Sequence, residues 1–147
     1  MAGTKKGGVR ITLFTVDEAN QLLTWLRPVL GRLVELKGEF DKLQQQVDVL
    51  TLASSGASPD NPDARALDEL QRRRASLGEE LGRGVQAIHR RGVLLKDLDR
   101  GLVDFYTVSG DRLIFLCWRL SEPEVAHWHS LEGGFSARLP LDRTELD

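Results

Sequence analysis

The amino-acid sequence predicts an α+β protein in which a long antiparallel helical hairpin is followed by a small antiparallel sheet of three to four strands. Three observations predict this fold: a heptad pattern in the first third, a break rich in small polar residues and proline, and alternating hydrophobicity after Gly92. A chain of 147 residues has the length of one domain. We therefore expect a single domain over 1–147, with a lead-in strand and the hairpin at 9–92 and the sheet and an irregular tail at 93–147.

The first helix is predicted by apolar residues that recur every three or four positions. Its start is marked by a capping box, in which the Thr15 hydroxyl accepts a hydrogen bond from the amide of Glu18 and the Glu18 carboxylate reaches back. The helix should extend to about Leu52, and Pro28 should kink or break it near Trp25, because proline removes an amide and crowds the preceding turn. The apolar positions match a coiled-coil seam: Leu22, Leu26, Val29, Leu33, Leu36, Phe40, Leu43, Val47 and Leu50.

A second helix, from about Asp63 to Arg91, is predicted after the loop at 54–62. Its seam is interrupted by Arg74 and by three glycines. Two interpretations of the glycines stay open, since they can let another backbone approach closely or can simply weaken the helix by up to ~1 kcal/mol each. Because so imperfect a partner leaves part of the first seam uncovered, we expect the helices also to pair across a homodimer. The glycines are Gly78, Gly82 and Gly84.

After the second helix, the hydrophobic period changes to two. Strands are expected over 93–96, 102–107 and 112–120, with glycine-containing turns between them. A fourth strand is expected over 125–130, after a turn that contains Pro123.

Composition limits the classes of function. The net charge of −2 lacks the basic excess that drives nucleic-acid binding. A single cysteine, Cys117, excludes an intramolecular disulfide and favours a reducing compartment. No run approaches the ~20 apolar residues that span a bilayer, and the start has no apolar stretch of signal-peptide length. We expect a cytoplasmic protein without a membrane partner, and the sequence identifies no small-molecule ligand.

Residues that can carry chemistry are concentrated near the end of the chain. His127 and His129 are two apart, so on a strand both imidazoles face one side and can act as a pair of metal ligands. Cys117 or a carboxylate could complete such a site. The register between strands stays open: a four-residue loop places Trp118 opposite His127, whereas a three-residue loop places Cys117 there, because a one-residue slip exchanges the faces.

Asp104 is predicted to lie inside a half-buried strand. Burial of a carboxylate is costly unless it has a partner, so Asp104 belongs either to a structural salt bridge or to a functional site. No glycine-rich phosphate loop, Gly-x-Ser-x-Gly or His-Glu-x-x-His motif is present, and the question of an enzymatic activity stays open. The basic candidates for a partner of Asp104 are Lys96, Arg119 and Arg138.

Four sequence blocks follow one another between Ile11 and Leu141. They are LFTVDEAN at 13–20, GVLLKDLDRGLVDF at 92–105, LCWRLSE at 116–122, and Trp128-His129 followed by Gly134-Phe135. Together they resemble an uncharacterised bacterial family, the domain of unknown function 2203 family. The resemblance implies a small domain with a helical hairpin followed by a sheet, and it brings no established activity.

The resemblance also implies which polar positions matter. His127 lies outside the family pattern, which favours His129 with Glu122 and Asp104, as a polar network or as a divalent-metal site. The polar positions that match the pattern are Glu18, Lys96, Asp97, Asp104, Arg119, Glu122, His129 and Arg138.

Two functions from different classes are expected. The first is a non-enzymatic cytoplasmic assembly or adaptor protein that self-associates through its long helices. The alternative is a small divalent-metal-binding protein, with hydrolysis as a conceivable activity, that holds zinc or manganese on the sheet. The candidate metal ligands are His129, Glu122, Asp104, His127 and Cys117. The candidate polar network around them comprises Glu18, Lys96, Asp97, Arg119 and Arg138.

Overall fold

The computed structural model describes residues 2–6, 9–56 and 58–142. It shows two long helices and a mixed β-sheet, so the α+β class is confirmed. The elements are β1 (Ala2–Lys6), β2 (Val9–Leu13), α1 (Val16–Ala53), α2 (Pro62–Arg90), β3 (Val93–Asp97), β4 (Leu102–Ser109), β5 (Arg112–Arg119), β6 (His127–His129), a short 3₁₀ helix (Phe135–Ala137) and β7 (Leu139–Pro140).

The sheet is larger than predicted and it is not purely antiparallel. Within the described residues it has seven strands in the order β1-β2-β4-β5-β6-β7, with β3 also paired to β4. Strands β2 and β3 both pair with the same edge of β4. β3 pairs with it antiparallel, with Val93 opposite Phe105. β2 pairs with it parallel, with Leu13 opposite Tyr106. The expectation of a small antiparallel sheet of three to four strands is wrong, because β3 is short and leaves the end of β4 to the lead-in strand.

Helix α1 begins at the predicted capping box. The amide of Thr15 donates to Oε1 of Glu18 at 2.9 Å, and the amide of Glu18 donates to the Thr15 hydroxyl at 3.0 Å. The helix then runs without interruption for 38 residues, through Pro28. The predicted break there is not found. Leu26 and Leu30 on either side of the proline are fully buried, and this packing holds the helix across the lost hydrogen bond.

The buried stripe of α1 differs from the predicted seam in its first half. Leu22 and Val29 are only partly buried, whereas their neighbours Leu23 and Leu30 are buried. The reason is that this half packs against a sheet, which covers a broader stripe than a single partner helix does. From Leu33 onward the stripe follows the predicted seam. The buried residues of α1 are Val16, Ala19, Leu23, Leu26, Leu30, Leu33, Leu36, Leu43 and Val47.

Helix α2 packs antiparallel against α1. Arg74, which interrupts its seam, is accommodated because its guanidinium donates to the Gln44 side chain at 2.9 Å. The two interpretations of the glycines, close approach and a weakened helix, apply to different positions. A Cβ at Gly84 would overlap the Leu33 side chain, whereas a Cβ at Gly82 would meet nothing within 4 Å. Close approach therefore explains Gly84 and does not explain Gly82.

The two faces of the sheet have different roles. The face that includes Phe105, Leu116 and Trp118 packs against α1 and forms the core. Because side chains alternate along a strand, the other face carries Asp104 and Cys117. Neither α1 nor α2 is apolar enough over a sufficient length to cross a membrane.

Candidate functional site

Three strands bring polar side chains into one row on the face that points away from the helices. Asp104 on β4 lies opposite Cys117 on β5, and Cys117 lies opposite His127 on β6. Of the two registers considered above, the structure has the one that pairs Cys117 with His127. His129 lies two residues further along β6, opposite Phe115.

Asp104, Cys117 and His129 form a compact buried group, which we call the Asp–Cys–His cluster. One ligand atom from each residue lies within 4.8 Å of the other two. All three residues are buried, with relative exposures of 3%, 2% and 3%. A carboxylate, a thiol and an imidazole in this arrangement could hold a metal ion.

The ring of His129 has a defined orientation. Its Nδ1 lies 2.8 Å from the carbonyl oxygen of Ser130, and since a carbonyl only accepts hydrogen bonds, Nδ1 carries a proton. Its Nε2 lies 3.1 Å from each carboxylate oxygen of Asp104. If Nε2 is unprotonated, two acceptors face each other. A proton on either group, or a cation between them, is needed to make this contact favourable.

The surroundings of the cluster disfavour negative charge. Burial raises the pKa of Asp104, although His129 and Lys96 oppose the rise. The Lys96 ammonium is 4.0 Å from the Asp104 carboxylate and 4.7 Å from the centroid of the Phe115 ring. Burial and the nearby charge of Asp104 raise the pKa of Cys117 to about 11. The thiol is therefore protonated at neutral pH, and metal binding would displace its proton.

Glu122 belongs to a different group of side chains. Arg138 donates to Oε1 of Glu122 at 3.0 Å and pairs with its second oxygen through the other guanidinium nitrogen. Burial by itself would raise the pKa of Glu122, but the hydrogen bonds from Arg138 and from the Arg119 amide outweigh it and hold the pKa below its ordinary value. The charge of this carboxylate is thus already neutralised by Arg138.

His127 lies beside this ion pair rather than in the Asp–Cys–His cluster. Its Nδ1 is 3.8 Å from Glu122 Oε2, and it has no hydrogen-bond partner among the described residues. Arg138 connects the two groups, because its Nη1 is also 3.9 Å from the Cys117 sulfur. The five candidate metal ligands therefore separate into three residues that converge, Asp104, Cys117 and His129, and two that lie beside each other outside the cluster, Glu122 and His127.

The residues of the predicted polar network lie in several places. Glu18 forms the capping box of α1. Asp97 accepts a hydrogen bond from the amide of Arg100 at 3.2 Å, in the turn after β3. The guanidinium groups of Arg119 and Arg138 lie over the Phe135 ring, at 5.9 and 4.1 Å from its centroid. Lys96 and Arg138 are thus the network members that reach the Asp–Cys–His cluster.

Two contacts that shape the site were not predicted from the sequence. Arg27 on α1 donates to the carbonyl oxygens of residues 120, 122 and 123, at 3.4, 3.1 and 3.0 Å, and so holds the turn that positions Glu122. The Ser130 carbonyl orients His129. An arginine whose partners lie more than 90 residues away gives no local sequence signal, and a backbone carbonyl gives none at all.

Comparison with curated proteins found no match, and neither did comparison with solved structures. The family described as "Uncharacterized conserved protein (DUF2203)" matches residues 12–141, which include both helices and every residue of the site. The earlier resemblance is confirmed: the chain belongs to the DUF2203 family.

Proposed function

We propose that this protein binds one divalent transition-metal ion at the Asp–Cys–His cluster. The orientation of His129 is the observation that carries the proposal. Histidines that bind metals commonly donate their second ring N–H to a backbone carbonyl or carboxylate, which leaves the other nitrogen free as a ligand. Here Nδ1 faces the Ser130 carbonyl, and Nε2 points at a carboxylate beside a thiol.

The spacing of the donor atoms supports the same proposal. Zinc bonds of about 2.0–2.3 Å in a tetrahedral site place neighbouring ligand atoms about 3.3–3.8 Å apart. The nitrogen–oxygen distances of 3.1 Å are slightly shorter than this, and the donor atoms of the three residues lie within 4.8 Å of one another. Small side-chain movements would allow the cluster to surround an ion.

The donor types favour zinc over manganese. A thiolate is a soft ligand that suits zinc, whereas manganese prefers carboxylates and water. A site built on Glu122 would have suited manganese better. The Glu122 carboxylate, however, pairs with Arg138.

The burial of the cluster bears on the kind of function. A catalytic zinc keeps an open position for water or substrate, whereas a structural zinc is enclosed by protein ligands. A structural zinc commonly has four protein ligands, and the Asp–Cys–His cluster offers three residues, so the second Asp104 oxygen or a water molecule would fill the fourth position. With each donor residue no more than 3% exposed, that position is shielded from bulk solvent, as in a structural site. We therefore propose metal binding that stabilises the sheet, in preference to hydrolysis.

Titration of chelator-treated protein with zinc tests the proposal. We expect about one equivalent to bind, with a stabilisation of about 3 kcal/mol at a hundredfold excess over Kd and a rise of several degrees in Tm. Cobalt should give the near-ultraviolet absorption of a thiolate–cobalt bond, and Cys117→Ser should remove that band. Failure of zinc to bind, or to change the Tm, would overturn the proposal.

Two matched variants separate metal binding from a merely structural polar cluster. His127→Gln alters the neighbouring histidine of the same strand and should leave zinc affinity unchanged. Lys96→Met removes an ammonium 4.0 Å from Asp104 and also removes its lowering effect on the pKa of that carboxyl. At a mildly alkaline pH, where the Asp104 carboxyl is ionised in both proteins, the variant should bind zinc up to about fivefold more tightly, because the ammonium repels the ion. A loss of affinity in Lys96→Met at that pH would contradict a cation at this position.

A second function is favoured by a different part of the molecule. The far end of the hairpin leaves Val49 and Leu52 at 65% and 80% exposure, which is high for apolar side chains. We propose that the protein also self-associates through its helices, as an assembly or adaptor protein in the cytoplasm. Sedimentation at increasing concentration tests this proposal, and a chain that stays monomeric into the hundreds of micromolar would contradict it.

A further inference from the structure

The far end of the hairpin presents an open groove between the two helices, and it is distinct from the Asp–Cys–His cluster. We call this groove the tip surface. Its apolar floor and its two charged residues are the features that matter here: Val49, Leu50, Ala66, Glu69, Leu70 and Arg73.

No residue that the structure describes covers the tip surface. Across α2, all of which the structure describes, the buried residues are Leu81 and Ile88, both in the half nearer the sheet. Leu70 is only half-buried, although α1 is still buried as far as Val47. Two helices alone cannot enclose a core, so apolar surface stays open at this end.

The tip surface carries one negative and one positive side chain, so the tip surfaces of two copies can be complementary in charge. Glu69 and Arg73 are one turn apart on α2 and both are exposed, and neither side chain forms an ion pair within the described part of the chain. In a two-fold symmetric pair, each contact between unlike residues occurs twice. If two copies of α2 cross antiparallel with the axis between these residues, Glu69 of each copy faces Arg73 of the other.

We infer that the tip surface binds the tip surface of a second copy, so that two hairpins form a four-helix contact. This inference rests on the proposed self-association and names the surface that performs it. The apolar floor supplies the driving force, and the Glu69–Arg73 pairs select the antiparallel arrangement.

The size of the surface sets the expected strength of the pairing. The part of α1 from Phe40 to Ala53 is about 21 Å long, and two helices side by side are about 20 Å wide. The resulting area of about 400 Å² per copy is roughly half of that in a standard stable interface. We therefore expect a weak dimer, which forms at tens to hundreds of micromolar.

Sedimentation equilibrium of the full chain over this concentration range is the test. Val49→Glu should abolish the dimer, whereas Val108→Glu, at a 43%-exposed valine on β4, should leave it unchanged. Glu69→Arg should weaken the dimer about tenfold, because the introduced guanidinium would then face Arg73 of the second copy and two positive charges would meet. The double variant Glu69→Arg/Arg73→Glu should restore it, because the opposite charges meet again.

The outcomes distinguish this inference from the broader proposal. A monomeric wild type would overturn both self-association and the tip surface, and would leave the groove to a partner of different sequence. A dimer that tolerates Val49→Glu and both charge variants would overturn the tip surface alone. Since all four substituted side chains are exposed, circular dichroism should confirm that each variant folds.

Discussion

Burial controls the chemistry of the residues in the Asp–Cys–His cluster more strongly than any one neighbouring charge does. For both Asp104 and Cys117, the largest influence on the pKa is burial, and it raises the pKa. Both groups therefore favour their protonated forms compared with the same groups in water. Any cation that binds here must compete with these protons, so we expect affinity to increase with pH.

Because the pKa of Cys117 is raised, we expect the free energy of unfolding to decrease at alkaline pH. Because the folded thiol keeps its proton up to about pH 11, against 9.0 in the unfolded chain, it stabilises the fold below pH 9, and this contribution is lost as the pH rises to 11. The loss is on the order of 2–3 kcal/mol. Metal-free wild type should therefore lose more unfolding free energy than Cys117→Ala between these pH values. Urea denaturation of both proteins measures the difference, and parallel curves would contradict the prediction.

At the residue scale, burial could be predicted from the sequence, but contacts between distant residues could not. Asp104 could be recognised as a carboxylate in a half-buried strand, because alternation along β4 is a local signal. Its position beside His129 depends on the registers of three strands, and a one-residue slip in any of them would separate the two residues. The grouping of Glu122 with Arg138 likewise depends on a turn that Arg27 holds from a distant helix.

At the scale of elements, local patterns predicted most of the structure. The capping box placed the start of α1, and the alternating segments placed β3 to β6 to within a few residues. The continuity of α1 through Pro28 was not predictable, because it depends on leucines packed against a sheet far along the chain. The parallel pairing of β2 with β4 was missed for a similar reason: Leu13 and Tyr106 are joined only in the folded chain.

The glycines of α2 give a matched pair of variants at this scale. Gly82→Ala should stabilise the protein by up to ~1 kcal/mol, because alanine favours the helix and its Cβ meets open space. Gly84→Ala should destabilise it by about 1–2 kcal/mol, because its Cβ overlaps the buried Leu33 side chain. Urea denaturation of both variants measures these changes. Stabilisation by Gly84→Ala would show that the helices do not approach closely there.

At the scale of the whole molecule, stability should be uneven along the hairpin. The part near the sheet shares the main core with Phe105 and Trp118. Among the residues that the structure describes, the far part of each helix is covered only by the other helix. Local opening costs less free energy where fewer apolar groups are buried. The hairpin should therefore open first at its far end.

Hydrogen exchange measured by mass spectrometry tests this gradient. At low concentration, amides of residues 65–75 should exchange about 5- to 30-fold faster than those of residues 80–89, which corresponds to about 1–2 kcal/mol less protection. If the tip surfaces pair, raising the protein concentration should slow exchange at 65–75 and leave 80–89 unchanged. Equal protection along α2 at low concentration would contradict the gradient.

The shared edge of β4 has a consequence for how this architecture can vary. The chain leaves the sheet after Leu13, opposite Tyr106, and returns at Val93, opposite the adjacent Phe105. The whole helical hairpin is therefore a segment inserted between two strands, and its two ends lie at neighbouring positions of β4. Turns of helix could be added to or removed from both arms together without moving any strand of the site. The reach of the hairpin and the chemistry of the sheet can thus change independently of each other.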